Sequence, residues 1–225
     1  NKYIDISMSV YSYNIRDATD HVKSWVPTKN VELSDLGIID INGNYNYFLA
    51  LSNNGKVFIQ GDAQWMQPQK YPKPTLVPGL PQGVQVVELA TSLEIFAVRT
   101  SNGCVYACGT GFTATLQCIY QNGDAKQVSV NKKNILVSTK MSLITYSTAS
   151  SSTTIMLTDK SVTSIAPYDK GFLVLLNDGI LYSTFKFHDL GLNIQSSIPN
   201  LHIVSGFLGP QMVYMEAALN EIICI

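Results

Sequence analysis

The sequence predicts an all-β protein, a β-propeller made of about six copies of one strand–turn–strand unit. The first observation is a repeat, because residues 38–61 align without a gap on residues 86–109. The second is that short apolar runs are separated by Asn-Gly and Asp-Gly pairs, which tolerate the positive φ of a tight hairpin turn. The third is that only 14% of the residues are charged, against about a quarter in ordinary domains. Sheets that bury both faces produce this balance.

The two aligned blocks share turn glycines at matching positions. A third copy, residues 162–184, carries Asn177-Asp178-Gly179 at the same place between two apolar runs. Glycine adopts positive φ without the steric cost that a side chain brings. The predicted structural turn glycines are Gly55, Gly61, Gly103, Gly109 and Gly179.

Weaker copies extend the pattern toward both ends. Residues 127–148 carry three apolar runs but lack the turn glycine, and a degenerate first copy covers about the first 26 residues. We expect a last copy to begin with the strand at Leu201–Gly206. One segment is ambiguous, since residues 17–26 fit either a hairpin or a short helix capped by Asp17. We treat residues 1–225 as one propeller domain, part of a longer chain, because both ends fall beside predicted strands.

The repeat carries a family resemblance. The order is an apolar strand, a small residue such as Gly43 or Thr91, a second apolar strand, an Asn-Gly turn, a Val-aromatic strand and a glycine. This order resembles the repeats of the regulator of chromosome condensation family, most specifically over residues 38–116 and 162–206. The resemblance implies a propeller of four-stranded blades, six or seven in number, of which about six copies are visible here. It also implies functions that range from guanine-nucleotide exchange on the GTPase Ran to scaffolding.

Charge and hydropathy restrict the classes of partner. The net charge is −1, so there is no global excess of positive charge for general nucleic-acid binding. No apolar run reaches the ~18–20 residues that cross a bilayer, and no membrane span is predicted. Cys104 and Cys108 would lie ~13 Å apart on one strand, too far for a disulfide. We expect buried free thiols and an intracellular location, cytoplasmic or nuclear.

No catalytic chemistry is predicted. Residues 109–114 match the pattern GxGxxA, but the repeat explains both glycines and no helix is expected to follow. None of the three histidines has another at metal-ligand spacing, and no carboxylates recur with the repeat. We therefore expect no catalytic residue, no metal site and no cofactor.

The remaining candidate site is a protein-binding surface. Aromatic and methionine side chains in the predicted connections either anchor a partner or pack the blades together. These candidates are Trp65, Met66, Tyr71, Phe112 and Tyr120. The predicted function is a non-catalytic protein–protein interaction module or scaffold. The alternative is an exchange factor for a Ran-like small GTPase, which an acidic and aromatic loop cluster including Asp62, Asp124 and Asp189 would favour.

Overall fold

The structure is a computed structural model of the 225-residue chain. It describes residues 33–185 except 34–35, 45, 67–68, 158 and 169, and also residues 196–204. Elsewhere it describes only the backbone of the strands at 3–8, 13–17, 22–26, 29–32, 193–195, 205–208, 215–218 and 221–224. All regular elements of this described part are β-strands, and every pairing is antiparallel.

The strands form successive sheets, which we number in chain order. Sheet 1 contains β1 (Tyr3–Met8), β2 (Tyr13–Asp17), β3 (Val22–Val26) and β4 (Lys29–Glu32). Sheet 2 contains β5 (Ile38–Gly43), β6 (Tyr47–Ser52), β7 (Val57–Asp62) and β8 (Lys70–Leu76). Sheet 3 contains β9 (Val86–Thr91), β10 (Ile95–Thr100), β11 (Val105–Gly109) and β12 (Gln117–Tyr120).

The second half of the chain continues this pattern with one change of order. Sheet 4 contains β13 (Gln127–Val130), β14 (Ile135–Ser138), β15 (Ser142–Thr148) and β16 (Ser151–Met156). Sheet 5, in the order β17-β18-β19-β21-β20, contains β17 (Val162–Tyr168), β18 (Gly171–Leu176), β19 (Ile180–Ser183), β20 (Asn193–Gln195) and β21 (His202–Leu208). Sheet 6 contains β22 (Met215–Ala218) and β23 (Glu221–Cys224).

Two local predictions have different outcomes. The described residues of the segment 17–26 are strand residues, because Asp17 ends β2 and Val22–Val26 form β3, and these two strands pair antiparallel. The prediction that Leu201–Gly206 begins the last copy was wrong, because β21 pairs with β19 inside sheet 5. Its apolar residues explain this placement: Leu201 is buried in the cluster that also holds Phe172, and Val204 is buried on the other face of that sheet. Among the described residues, β22 and β23 follow β21 as a separate two-stranded sheet.

The chain divides into two compact units, residues 1–123 and 124–225. In the first unit, sheets 2 and 3 pack against each other through one apolar cluster that includes Leu49, Ile59 and Phe96. In the second unit, sheets 4 and 5 share a cluster that includes Leu136 and Phe172. The second strand of sheet 5, β18, is buried along its whole length, which agrees with the sequence signal of a sheet covered on both faces.

The hairpin turns of sheets 2 and 3 are equivalent down to their hydrogen bonds. The Ser52 hydroxyl donates to the carbonyl of Lys56, and the Thr100 hydroxyl donates to the carbonyl of Cys104, each at 2.9 Å. The turn glycines Gly55, Gly103 and Gly179 have φ of 74°, 74° and 75°. The turns of sheets 2 and 3, which lie 48 residues apart, therefore share their backbone geometry as well as their sequence pattern.

Gly61 and Gly109 close the third strand of their sheets with φ of 116° and 133°. At Gly109 an added Cβ would overlap the carbonyl oxygen of Glu94, and at Gly61 it would overlap that of Asn46. These carbonyls accept hydrogen bonds from the residues that follow the glycines, Thr110 and Asp62. The close approach of the two backbones therefore requires glycine for both space and conformation.

An asparagine after the first strand joins neighbouring sheets in both units. The Asn131 amide donates to the carbonyls of Tyr168 and Gly171 at 3.3 and 3.1 Å, while its Oδ1 accepts from the N–H of Lys133 and Asn134. Asn131 is buried, at 5% exposure. One side chain thus closes its own turn and binds the equivalent turn of the next sheet. We call this arrangement the asparagine clamp.

The first unit contains the same clamp. Asn44 Nδ2 donates to the carbonyl of Ser92 at 2.5 Å, and Asn44 Oδ1 accepts from the N–H of Asn46 at 2.8 Å. Beside it, the Thr91 hydroxyl donates to Asn42 Oδ1 at 2.5 Å. Sheets 2 and 3 are therefore joined by polar contacts at the margin of their apolar interface.

Replacing Gly109 with alanine should lower the free energy of unfolding by about 3 kcal/mol or more, because the new methyl overlaps a main-chain oxygen that cannot rotate away. The matched control is Gly83→Ala. Gly83 also has positive φ, 81°, but an added Cβ there meets nothing within 4 Å. Its cost should be only about 1 kcal/mol. Urea titration of both variants measures the difference, and equal losses would contradict the steric explanation.

Replacing Asn131 with alanine should cost about 2–3 kcal/mol, because two carbonyls and two N–H groups lose a buried partner. Asn131→Asp retains the acceptor for the turn but places a carboxylate against two carbonyl oxygens. That carboxyl should have a raised pKa, so the aspartate variant should gain stability relative to the alanine variant as the pH falls. Urea titrations at several pH values test this. If the free energy of unfolding of the two variants changed equally with pH, the result would argue against the clamp.

Candidate interaction surface

The turn between β9 and β10, residues Ser92–Glu94, is the point on which several elements of the first unit converge. All three of its carbonyls accept hydrogen bonds from outside the turn. Ser92 O accepts from the Tyr47 hydroxyl at 2.8 Å, and Leu93 O accepts from Trp65 Nε1 at 3.4 Å. Glu94 O accepts from the N–H of Thr110 at 2.9 Å. We call this turn, with the residues that contact it, the turn platform.

The Trp65 side chain is held on this platform by aromatic packing. Its ring lies edge-on to Tyr47, with centroids 5.5 Å apart, and 5.6 Å from Phe96. Burial raises the pKa of the Tyr47 phenol well above its usual value, so Tyr47 remains a hydrogen-bond donor. Trp65 itself is half-buried. A half-buried tryptophan with both its ring plane and its N–H fixed can contact a partner with little loss of conformational entropy.

The five candidate residues occupy different depths. Met66, Tyr71 and Tyr120 are buried, with exposures of 0%, 2% and 5%. Met66 and Tyr71 belong to the apolar cluster between sheets 2 and 3, which is the packing role that the sequence left open. Trp65 and Phe112 are half-buried. Of the five, these two are the side chains that remain available to a partner.

Two carboxylates lie on the same side of the first unit as Trp65. Glu94 extends from the turn platform and is exposed. Asp62 ends β7, directly before the loop that carries Trp65, and its nearest cation is Lys70 at 3.8 Å. Because both members of that pair are largely exposed, solvent screens the attraction between them. Glu94 therefore adds an exposed negative charge to the turn platform, whereas the charge of Asp62 has a lysine beside it.

The sequence prediction named two other loop carboxylates, Asp124 and Asp189. Asp124 is the first residue of the other unit, and Asp189 lies outside the described residues. Glu94 was not among the predicted residues. The sequence did contain a partial sign that Glu94 lies in a connection between strands, because the repeat aligns residues 92–94 with residues 44–46 of the preceding copy.

The described thiols, Cys104, Cys108 and Cys118, are free. Cys108 is buried, and burial raises the pKa of its thiol to about 12. Cys104 and Cys118 are half-buried, and burial also raises the pKa of Cys118. A thiol that stays protonated is a poor nucleophile at neutral pH.

One compact cluster of charged groups occurs in the second unit, and its chemistry is structural. Lys160 Nζ lies 2.7 Å from Asp178 Oδ2 and donates to the Tyr182 hydroxyl at 2.8 Å. The hydrogen bond to Asp178, then that to Tyr182, raises the pKa of Lys160. Burial raises the pKa of Tyr182. A lysine and a tyrosine that both hold their protons supply no general base at neutral pH.

Two further properties concern metals and membranes. Within the described ranges, His, Cys, Asp and Glu nowhere form a group of three or more suited to a metal ion. The same part of the chain includes no helix with the length and hydropathy of a membrane span.

Comparison with known proteins identifies the fold. No protein-family model and no curated protein matches the sequence. Solved structures do match. The Saccharomyces cerevisiae protein Prp20p aligns with a TM-score of 0.79 and 15% identity, over 99% of this chain and 69% of that one. Yeast RCC1 (Prp20) bound to Kap60 gives 0.79 and 14%, over 99% and 67%. The chain therefore has an RCC1-like β-propeller fold.

Human WBSCR16 is a third similar structure, with a TM-score of 0.72 and 14% identity over 80% of this chain. The chain spans 61% of the length of WBSCR16. The family resemblance inferred from the repeat is confirmed at the level of fold. The number of blades stays a prediction, as does the treatment of residues 1–225 as a single domain.

Asp178 should stabilise the fold only above acidic pH. Partial burial acts to raise the pKa of this carboxyl, but the hydrogen bonds from Lys160, the Ile180 N–H and Tyr182 outweigh it and lower the pKa. The stabilisation is therefore present above the unfolded pKa of about 3.9 and is lost as the pH falls through the lower folded value.

We expect Asp178→Asn to be about 1 kcal/mol less stable than the natural chain at pH 7, with the gap closing in the most acidic samples. Asp62→Asn is the control, because the exposed Asp62–Lys70 pair should contribute almost nothing at either pH. Thermal unfolding across this pH range measures both variants. A gap for Asp178→Asn that did not depend on pH would contradict the ion-pair explanation.

Proposed function

We propose that this propeller is a non-catalytic protein-interaction module and that the turn platform is its contact surface. The observation that carries this proposal is the convergence of four hydrogen bonds on the Ser92–Glu94 turn. One of them, with two aromatic contacts, fixes a half-buried Trp65 on the turn that ends at Glu94. Rigid aromatic anchors with a charged rim are typical of protein–protein contact sites.

The chemistry of the rim indicates the kind of partner. Carboxylates at Glu94 and Asp62 attract basic side chains, and the edges of Trp65 and Phe112 can pack against the alkyl stems of lysine or arginine. The proposed partner is therefore a protein with a basic surface. We propose an intracellular setting, cytoplasmic or nuclear, for this interaction, and no cofactor.

Guanine-nucleotide exchange on a Ran-like GTPase is the second candidate function. It is favoured by the acidic and aromatic character of the turn platform and by the neighbour Prp20p, whose solved structure is described together with its binding to Gsp1p and histones. Exchange would work by distorting the nucleotide site of the GTPase, not through acid–base groups of this chain.

Affinity capture with the tagged chain separates the two functions. Lysate is divided, and half receives EDTA, which removes magnesium and leaves small GTPases without nucleotide. An exchange factor should enrich one small GTPase only in the EDTA half. A scaffold should capture the same partners in both halves. Capture of no protein in either half would overturn both proposals.

Reversing the charge of Glu94 tests the surface itself. We expect Glu94→Lys to weaken binding to the captured partner by about fivefold or more, because a basic partner then meets a like charge. The control is Gln82→Lys, which also adds a lysine at an exposed position, but in the connection that leaves the opposite end of sheet 2. Titration calorimetry measures both. Equal weakening by the two variants would place the contact elsewhere.

A further inference from the structure

The outer strand of sheet 4, β16, differs from the other outer strands that the structure describes with side chains. In sheet 2 the outer strand β8 contains Pro72 and Pro74 and two lysines. In sheet 3 the outer strand β12 has only four residues and is interrupted by a register shift. Proline, lysine, short length and irregular register are the usual protections of a sheet edge against further pairing. Both strands therefore have a protected edge.

β16 lacks most of these protections. Its six residues, Ser151–Met156, contain no proline and no charge, and five of the six are exposed. Its single register shift lies at its first residue, Ser151, and from Ser142↔Met156 to Tyr146↔Ser152 the pairing with β15 is continuous. Because β16 is terminal in the sheet order, its second edge has no strand beside it among the described residues.

The hydrogen-bond pattern shows which groups that edge presents. Leu157 N–H donates to Met141 O, so the bonded pairs of this antiparallel ladder continue at Ile155 and Thr153. The alternate residues direct their N–H and C=O away from β15. These residues are Ser152, Thr154 and Met156. The edge therefore offers three donors and three acceptors in a regular row.

We propose that a second copy of this chain pairs with this edge, β16 against β16, antiparallel about a two-fold axis at Thr154. Such pairing sets each strand against itself, so a strand whose charges are all of one sign would repel its own copy. β8, with Lys70 and Lys73, could not pair in this way without repulsion. The neutral sequence of β16 permits it, and hydroxyl-bearing residues opposite one another are favourable cross-strand pairs.

The register follows from the geometry. With Thr154 opposite its own copy, Ser152 lies opposite Met156 of the partner subunit, and about six main-chain hydrogen bonds form. Met156 is 61% exposed. Met141 is 45% exposed, and its carbonyl accepts a hydrogen bond from the N–H of Leu157, the residue that follows Met156. The pairing would cover apolar surface at both ends of the paired strands. Such an interface is isologous and closes as a dimer.

The mass of the chain in solution tests the proposal. Light scattering on the gel-filtered chain at ~0.1 mM should give twice the monomer mass of 24.7 kDa. Thr154→Lys should raise the dimer dissociation constant by at least about tenfold, because two lysines then meet at the axis. Thr154→Pro should act similarly, since it removes an outward N–H and leaves the bonds to β15 intact. Gln117→Lys, at an exposed position of β12, is the control and should leave the dimer unchanged.

Cross-linking tests the register. In Thr154→Cys the two Cα atoms would lie about 5.5 Å apart, within the range of a disulfide. Oxidation by diamide, which takes up the two thiol hydrogens, should give a dimer on a non-reducing gel. In Thr153→Cys the same atoms would lie about 8 Å apart, beyond that range, and no dimer band should appear. The natural chain, with its own thiols, is treated in parallel.

Several results would overturn the proposal. If the natural chain were a monomer at ~0.1 mM and its circular dichroism were that of a folded β protein, the edge would not pair with its own copy. A dimer that survives both Thr154→Lys and Thr154→Pro would place the interface elsewhere. Equal cross-linking at 153 and 154 would refute the register.

Discussion

The fold depends on a polar contact at the ends of the sheets as much as on the apolar surface between them. Burial of apolar side chains brings two sheets together but is non-directional and does not fix their relative position. The asparagine clamp supplies direction, because a single amide accepts from its own turn and donates to carbonyls of the next sheet. The turn platform is an elaborated clamp. Tyr47 and Trp65 add donors to the same turn, so the rigidity needed for a contact surface derives from the device that joins the sheets.

The sequence predicted the architecture well because the strand signal and the turn signal agreed. Alternating apolar runs and Asn-Gly turns placed β5–β7 and β9–β11, and the offset of 48 residues related them. It did not predict that β21 would enter sheet 5. The pairing of a strand with a distant neighbour depends on which sheet edge is vacant, and local pattern does not contain that information. The choice between a helix and a hairpin near residues 17–26 likewise depended on the pairing of β2 with β3, which the local pattern does not contain.

The candidate site was predicted in part. Aromatic residues in connections can point inward or outward, and the sequence gives no sign of which. Met66 and Tyr71 are in the core, whereas Trp65 and Phe112 retain exposed surface. Asn44, Asn131 and Glu94 were missed because asparagine and glutamate in a turn look like ordinary solvated residues. Aligning the turns of successive copies, in addition to their strands, would have shown Asn44 and Asn131 in equivalent places.

The clamp has a consequence for how such repeats diverge. Its acceptors are main-chain carbonyls, which every amino acid carries, so the receiving turn is free to change its side chains without losing the bond. Within the clamp, only the donor position is constrained. A lineage of propellers can therefore exchange the side chains of the receiving turn while each sheet still binds its neighbour through the backbone. The shared architecture of this chain and Prp20p, with a TM-score of 0.79 at 15% identity, agrees with such freedom.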